Sequence, residues 1–421
     1  MEKRSERLTG ILQTLGPGII MAGAAIGVSH LVQSTRAGAD YGFYLLWAVI
    51  LALVFKYPFI EYGPRYAAAT GDSLLEGYLK LGKWAMAIFL IFTFGTMFTI
   101  TGAVTIVTAG LTAQMTGIAL NPILWSAIIL AICAILLASG QYPILDRLMK
   151  LMMAVLAIST VVALVAAVVH GSNAQPGFVH PGIWNVAGIS FLLALMGWMP
   201  IPIDVSVWHS LWTLERKKET KHTPKLEESL LDFNLGYGLA GFMAFGFLIL
   251  GALVMYGTGE KFANSGGAFA GQLVNLYTNS LGGWSRPIIL AAAFTTMFST
   301  TLTVVDAFPR ELRRVGELIL PGVVKKKDSR RLYISLLLIV AVLSLMLLWA
   351  LGQNFTAMVD LATTLSFLTA PILGYINYRV VTSPDMPEYA KPKLGMRILS
   401  WLGLIFLTGF ALLFLYWRFL K

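Results

Sequence analysis

Runs of about 20 apolar residues recur along the whole chain and are separated by short polar segments. A helix of that length crosses the ~30 Å hydrocarbon core of a bilayer, and it satisfies its backbone polar groups internally, as lipid requires. The short alternating segments of a membrane β-barrel are not seen. The pattern therefore predicts an all-α polytopic membrane protein with about eleven spans. They cover roughly residues 15–38, 43–64, 84–112, 122–139, 148–169, 189–213, 229–256, 285–308, 331–352, 356–379 and 396–417.

Two of these spans carry residues that interrupt a helix near the middle of the membrane. The first reads Gly27-Val28-Ser29-His30 at its centre, and the sixth contains Pro200 and Pro202 in "GWMPIPIDVSVWHS". Proline removes a backbone hydrogen bond and clashes with the preceding turn, so we expect the sixth helix to be broken. For the first span, packing or a kink is the alternative, because glycine and proline are frequent in membrane helices.

The two breaks lie five spans apart, and this spacing predicts an inverted repeat. An odd number of spans per unit inserts the second unit upside down relative to the first. We expect one transmembrane transporter domain over residues 1–421, with repeat one at about 15–170, repeat two at about 189–381 and an extra helix at about 396–417. In such folds the broken helices face a central cavity that binds substrate and ions.

Composition and charge agree with this placement in a membrane. Hydrophobic residues form 57% of the 421, the mean hydropathy is +0.74, and the net charge is +10. The Lys and Arg residues fall mostly into alternate connections, which predicts a cytoplasmic N-terminus and an external C-terminus. Anionic lipid is a second use for these charges, and nucleic acid is not an expected partner.

Cysteine usage and the N-terminal segment narrow the expected location. The single cysteine, Cys133, excludes an intrachain disulfide and a Cys-rich metal site. The polar N-terminus leads directly into a span without a small-residue cleavage site, so no removable signal peptide is expected. We expect an integral protein of a bacterial cytoplasmic (inner) membrane.

Two motifs of the first span resemble the Nramp family of divalent metal transporters. They are "GPG" at 16–18 and "RAGADYG" at 36–42, where the family reads A-G-A-x-Y-G. Met199-Pro200 and His209-Ser210 in the sixth span, and "MFSTTLTVVDAFP" in the eighth, are similar to family segments there. The resemblance implies a LeuT-type fold of ten core helices plus one, and alternating access around sites on helices one and six.

The chain departs from the family at the metal ligands of the first span. Ungapped spacing between the two motifs sets Gly27-Val28-Ser29-His30 on the family's Asp-Pro-Gly-Asn, so Gly27 replaces the Asp and His30 the Asn. The position of the family's helix-six methionine depends on the motif from which it is counted. Counting from Met199-Pro200 places it at Met199, and counting back from His209-Ser210 places it at a proline or at Ile201. Loss of the helix-one carboxylate removes charge and a hard ligand, so we expect a different cation or another class of solute.

Asp204 and His30 are the candidate metal ligands. A carboxylate near the bilayer centre normally faces a cavity or a cation, and the alternative for Asp204 is a structural ion pair with Lys56. His30 offers an imidazole for a metal or a proton, and its alternative is a buried hydrogen bond to a carbonyl.

The remaining candidates rest on weaker arguments. The serines and threonines often bond their own helix or pack helices together, and Lys56 could extend towards the interface instead. The candidates for substrate binding are Gly27, Ser29, His30, Met199, Ile201, Asp204 and Ser206. The candidates for proton or ion coupling are His30, Lys56, Glu61, Asp204, His209, Ser299, Thr300 and Thr303.

These observations predict a secondary active transporter rather than an enzyme. The preferred hypothesis is a proton-coupled importer of a divalent cation such as Mn²⁺, Fe²⁺ or Mg²⁺ through a non-standard site. The alternative is a proton- or sodium-coupled symporter of a small organic solute such as an amino acid or carboxylate, whose anionic group would meet half-helix N-termini. A non-transporting sensor is disfavoured because it would not need the polar cavity residues. No resident cofactor is expected, and the oligomeric state is left open.

Overall fold

The computed structural model describes residues 10–171, 181–258, 263, 266–322, 329–351 and 355–419. Within these ranges the regular elements are helices, and no strand occurs. The helices are α1 (Pro17–Ala25), a π-helical segment (Val28–Ser34), α2 (Thr35–Tyr41), α3 (Leu46–Thr70), α4 (Leu74–Leu81), α5 (Lys83–Thr116), α6 (Pro122–His170), α7 (Val186–Gly197), α8 (Val205–Thr220), α9 (Leu226–Val254), α10 (Gly266–Leu281), α11 (Arg286–Ile319), α12 (Ser329–Ala350), α13 (Phe355–Val381) and α14 (Leu394–Phe419).

Ten stretches of the described chain are long and apolar enough to cross a bilayer, by length and composition. The predicted sixth span is divided into α7, with 12 residues, and α8, with 16 residues. At ~1.5 Å per residue, neither half crosses the hydrocarbon alone. The two halves are the sixth predicted span, and with the ten stretches they make eleven. Two of the ten stretches, Pro122–Ser139 and Tyr142–Val169, lie on one helix, α6.

The predicted connection "DRLMK" at 146–150 is wrong, because α6 runs without interruption from Pro122 to His170. Its charges lie along the helix instead. Asp146 and Lys150 pair across one turn at 2.7 Å, and Arg216 of α8 reaches the same carboxylate at 3.2 Å. Because Asp146 lies between two cations, the cost of placing these charges on a largely apolar helix is reduced.

Both predicted helix interruptions are confirmed. Helix α1 ends at Ala25, and the π-helical segment begins at Val28 after Ile26 and Gly27, with the Gly27 carbonyl accepting the N–H of Leu31 at 2.8 Å. In the sixth span, residues 198–204 are not helical, and they separate α7 from α8.

Glycines let the first span pack closely against α9. A Cβ on Gly18 or Gly38 would collide with backbone carbonyls of α9, those of Asp232 and Leu248 respectively. Small residues at such crossings allow membrane helices to approach backbone to backbone. The crossing fixes helix one along its length, on both sides of its break.

Asp232 also explains why α1 begins at the "GPG" motif. Its carboxylate accepts the N–H groups of Gly16 at 2.9 Å and Gly18 at 2.6 Å. The first N–H groups of a helix have no partner within it, and an acidic group there is stabilised by the helix dipole.

Helix α11 extends about three turns beyond the predicted end of the eighth span, to Ile319. The extension brings Asp306 and Arg310 together at 2.7 Å, with both side chains almost fully buried. Tyr333 donates to the same carboxylate at 2.8 Å. The eighth span therefore carries a buried ion pair.

Candidate functional site

The interruptions of helices one and six open onto one cavity. It offers about 30 Å³ to water-sized molecules, and roughly 10–15 Å³ in this measure holds one water. Helix one contributes Val28 and Ser29, helix six contributes Trp198 and the run Pro200–Pro202, and α5 and α11 complete the wall. The lining is mostly apolar.

Ser29 and Thr300 supply the hydroxyl groups among the described lining residues. Ser29 Oγ donates to the carbonyl of Ala25 at 2.5 Å, and Thr300 Oγ1 donates across to the carbonyl of Gly23 at 2.9 Å. The Ser29 hydroxyl has one proton and two acceptors within reach, the Ala25 carbonyl and His30 Nδ1, both on helix one. The proton of either lining hydroxyl thus bonds to helix one, and the oxygens keep lone pairs as acceptors. Thr300 also joins α11 to α1 beside the break.

His30 is fully buried and is not part of the cavity lining. Its Nε2 donates to the carbonyl of Ala240 in α9 at 2.9 Å, and its Nδ1 lies 2.6 Å from Ser29 Oγ. The structure thus places the imidazole as a tie between helix one and α9. To ligate a metal in the cavity, His30 would first have to give up one of these bonds.

On helix six, Ile201 lines the cavity, whereas Met199 is fully buried outside it. Asp204 lies just beyond, directly before α8. Its Oδ1 is buried and accepts no hydrogen bond from the described residues. A buried carboxylate oxygen without a donor is an acceptor available to a cation or a proton.

Glu311 of α11 is a fully buried carboxylate that interacts electrostatically with Asp204. Its Oε1 accepts a bond from Thr93 of α5 at 2.9 Å, and its Oε2 accepts one from the Trp208 indole at 2.7 Å. The sequence reasoning missed this residue because it ended the span near residue 308. The signal was a helical stripe of buried positions, Val304, Phe308 and Val315, into which Glu311 falls.

Lys56 is fully buried in α3, so it does not extend to the interface. Its Nζ donates to the carbonyls of Met196 at 3.2 Å and Gly197 at 2.9 Å, at the end of α7. It interacts electrostatically with Asp204 but forms no ion pair with it within 4.0 Å. Glu61, one and a half turns further along α3, is held instead by Arg65 at 2.5 Å.

The predicted site residues of α8, Ser206 and His209, do not line the cavity. His209 is buried, and neither ring nitrogen has a hydrogen-bond partner among the described residues; its Nε2 lies 3.8 Å from Asp232. Ser206 accepts a hydrogen bond from Asn377 of α13 at 2.8 Å.

In α11, Ser299 and Thr303 donate to carbonyls of their own helix at 2.6 Å and 2.8 Å. Of the three predicted α11 hydroxyl residues, Thr300 alone reaches helix one.

The described residues contain no cluster of three or more His, Cys, Asp or Glu side chains placed to hold a metal. A cation in the cavity would meet the hydroxyl oxygens of Ser29 and Thr300, and Asp204 lies in the chain directly before the lining residue Val205. This oxygen-rich set suits a harder cation than a site with a thioether ligand does.

Gly27→Ala is expected to destabilise the protein by about 1–3 kcal/mol, as overpacking of a close contact does. A Cβ at this position would overlap the Thr300 side chain. The same overlap applies to Gly27→Asp, so one substitution does not restore the family carboxylate. Thermal unfolding of the purified protein measures the effect.

Gly95→Ala is the matched control, because a Cβ on this helical glycine meets no atom within 4 Å. It should leave stability unchanged or slightly raised. Equal unfolding temperatures for the two variants would contradict the close contact at Gly27.

At its C-terminal end, the first span is tied to α13. Arg36 and Gln33 both donate to Asp360 Oδ1 at 3.0 Å, and the Arg36 guanidinium lies over the Phe191 ring at 5.1 Å. At the other end, Arg216 donates to the carbonyl of Gln13 at 2.8 Å. Polar ties thus hold helix one on both sides of the cavity.

Asp360→Asn should make the cavity more accessible, because it weakens the tie between helix one and α13. Partly exposed ion pairs are worth up to ~1 kcal/mol, so thiol labelling of a Ser29→Cys reporter should rise about two- to fivefold. Asp72→Asn, which removes the exposed pair with Lys80, is the control and should not change the labelling rate. Unchanged labelling in Asp360→Asn would show that this tie does not limit access.

The broken helices, their shared cavity and the ten long apolar stretches define an integral membrane protein with the architecture of a transporter. The chain belongs to the family described as natural resistance-associated macrophage protein-like (Nramp), whose model matches residues 18–417. A relative from Pasteurella multocida, an uncharacterized protein, is 36% identical over 406 residues, covering 95% of this chain and 91% of its own.

Two solved structures show the same fold at low sequence identity. A manganese transporter from Eremococcus coleocola, in complex with an aromatic bis-isothiourea compound, aligns with a TM-score of 0.71 at 16% identity, over 97% of this chain and 87% of its own. MhsT in complex with L-phenylalanine aligns with a TM-score of 0.62 at 14% identity, over 96% and 98%. The chain therefore has the LeuT-type fold that these two transporters share.

Proposed function

We propose that this protein is a secondary active transporter that moves a divalent metal cation by alternating access, coupled to protons. The observation that carries the proposal is the meeting of two broken helices at one cavity, with the unbonded carboxylate oxygen of Asp204 beside the helix-six break. Broken helices supply backbone carbonyls, and a carboxylate supplies charge, which together attract a cation within the membrane.

The cargo we propose is a hard or borderline dication such as Mn²⁺, Fe²⁺ or Mg²⁺. The family relationship and the fold shared with a manganese transporter support a metal as cargo. The donors near the breaks are oxygens, since Met199 is outside the cavity lining and Gly27 has no side chain. We therefore expect weaker discrimination against Mg²⁺ than a site with a thioether ligand achieves.

Proton coupling is proposed to run through Asp204 and Glu311. The two carboxylates interact electrostatically, and the described residues place no cation within 4.0 Å of either. Two interacting acids share protons, so binding of a dication at Asp204 would change the protonation of the pair. The inverted repeat, the cytoplasmic N-terminus and the location in an inner membrane belong to the same proposal.

Transport of a small organic solute is the second candidate, and the cavity lining favours it. The lining is largely apolar and includes the rings of Trp198 and Trp208, as suits an apolar ligand with a few polar contacts. The buried ammonium of Lys56 lies near the same break and would attract an anionic group.

Reconstitution into liposomes separates the two candidates. We expect accumulation of radioactive Mn²⁺, driven by an inward proton gradient and abolished by a protonophore, with Mg²⁺ as a competitor. Accumulation of an amino acid or carboxylate under the same gradient, without any uptake of Mn²⁺ or Mg²⁺, would overturn the metal proposal in favour of the second candidate.

A further inference from the structure

We propose that Lys56 is a tethered cation that occupies the helix-six carbonyls and thereby limits the affinity of the site for dications. The inference rests on the proposed function, because it identifies what sets the cation selectivity of that site. It begins with the end of α7, where the chain leaves the helix and the last carbonyls lose their partners.

The ammonium lies where a cation would be expected to bind. Its two acceptors, the carbonyls of Met196 and Gly197, belong to the last turn of α7, immediately before the break. A helix C-terminus carries a partial negative charge of about half an elementary charge, and carbonyls at a broken helix are typical ligands for ions. The Lys56 ammonium thus supplies to these carbonyls the positive charge that a bound ion would otherwise supply.

Among the residues that the structure describes, no acidic side chain lies within 4.0 Å of Lys56 Nζ. Its side chain is fully buried, so its charge does not reach water. Glu61, the nearby acid on the same helix, is bonded twice by Arg65, at 2.5 Å and 2.8 Å. Asp204 interacts with the ammonium electrostatically at more than 4.0 Å. The charge of Lys56 is therefore balanced by the end of α7 and by Asp204 at longer range.

This arrangement has two consequences for a dication that approaches Asp204. The carbonyls of Met196 and Gly197 are already occupied, which leaves the metal fewer oxygen ligands. The fixed positive charge also repels the metal, because like charges in a low-dielectric site interact strongly. Removing the ammonium should release the carbonyls and the carboxylate together.

Lys56→Met is the test, since methionine has a similar length and flexibility but no charge. We expect the variant to bind Mn²⁺ at least tenfold more tightly than the wild type in calorimetry of the purified protein. Its thermal stability should also become dependent on Mn²⁺, because the Gly197 carbonyl loses its ammonium donor until a cation binds, whereas the Met196 carbonyl keeps the N–H of Met199 at 3.3 Å. Neither readout requires transport.

Three further variants make the result decisive. Lys56→Arg keeps the charge and should bind Mn²⁺ like the wild type, and Lys56→Met with Asp204→Asn should lose the gain. If Lys56→Met does not fold, Lys56→Gln replaces it, because the amide still donates to a carbonyl but carries no charge. Tighter binding by Lys56→Gln would support the proposal through its electrostatic part.

The outcomes distinguish this inference from the proposed function. If the wild type binds and transports Mn²⁺ but folded Lys56→Met and Lys56→Gln bind it no better, the tethered-cation inference is wrong and the transport proposal stands. If the wild type transports no dication while Lys56→Met binds Mn²⁺ tightly, the inference stands and the cargo proposal is wrong.

Discussion

Asp204→Asn is expected to abolish proton-driven uptake of Mn²⁺ while leaving the protein folded. The amide has the shape of the carboxylate but no charge, and Asp204 is the carboxylate beside the helix-six break with an unbonded buried oxygen. Without it, a dication at the helix-six break would lose its nearest carboxylate and would still meet the ammonium of Lys56. We expect initial uptake in liposomes to fall at least about 100-fold, the loss that removal of roughly 2.7 kcal/mol of binding produces.

Glu388→Gln is the matched control, because this carboxylate is 87% exposed and lies far along the chain from the breaks. It should transport like the wild type. Wild-type uptake by a folded Asp204→Asn protein would remove Asp204 from the site, and a loss of both folding and uptake would assign it to structure.

Arg310→Met is expected to lower stability by roughly 3–5 kcal/mol, because it leaves the charge of Asp306 buried without its cation. The two groups pair at 2.7 Å with almost no exposure. Thermal unfolding followed by intrinsic tryptophan fluorescence measures the effect.

The double variant Asp306→Asn with Arg310→Met should recover much of the loss, since no uncompensated charge remains. Lys80→Met, which removes a cation from an exposed pair with Asp72, should change stability by less than about 1 kcal/mol. A double variant as unstable as Arg310→Met would show that packing, rather than charge, accounts for the loss.

The broken helices and most of the spans could be predicted from the sequence, because both signals are local. Pro200 and Pro202 impose an interruption wherever they lie, and apolar runs are long enough to count. The continuity of α6 through spans four and five was not predicted, because it depends on a contact between residues that are distant in sequence. Asp146 and Lys150 look like a loop until Arg216, distant in sequence, is seen to contact the same carboxylate.

The site could be predicted only in part, since side-chain direction depends on tertiary packing. Ser29, Ile201 and Thr300 do line the cavity, whereas His30, one residue from Ser29, points to the carbonyl of Ala240. No pattern within the first span indicates which of the two adjacent residues faces α9. The alternative considered for Asp204, a close ion pair with Lys56, does not form, because Lys56 bonds to the backbone carbonyls of Met196 and Gly197. Such partners cannot be read from a sequence.

Glu311 was not predicted as a site residue because the end of the eighth span was placed too early in the sequence. Placing the end of the eighth span at residue 308 assigned this acid to a cytoplasmic connection, while the helix continues to Ile319 and buries it. Arg313 and Arg314, which follow closely, made the segment look like a loop. On the helix, Arg313 lies on the opposite side from Glu311, while Arg314, one turn on, pairs with Glu76 and Glu317 instead.

Anomalous diffraction from crystals of the wild-type protein soaked in Mn²⁺ tests the central claim most directly. The account predicts one peak beside the helix-six break, at about 2.0–2.6 Å from a carboxylate oxygen of Asp204, with Lys56 still bonded to the carbonyls of Met196 and Gly197. A manganese peak elsewhere in the transmembrane region, with none near Asp204, would contradict it.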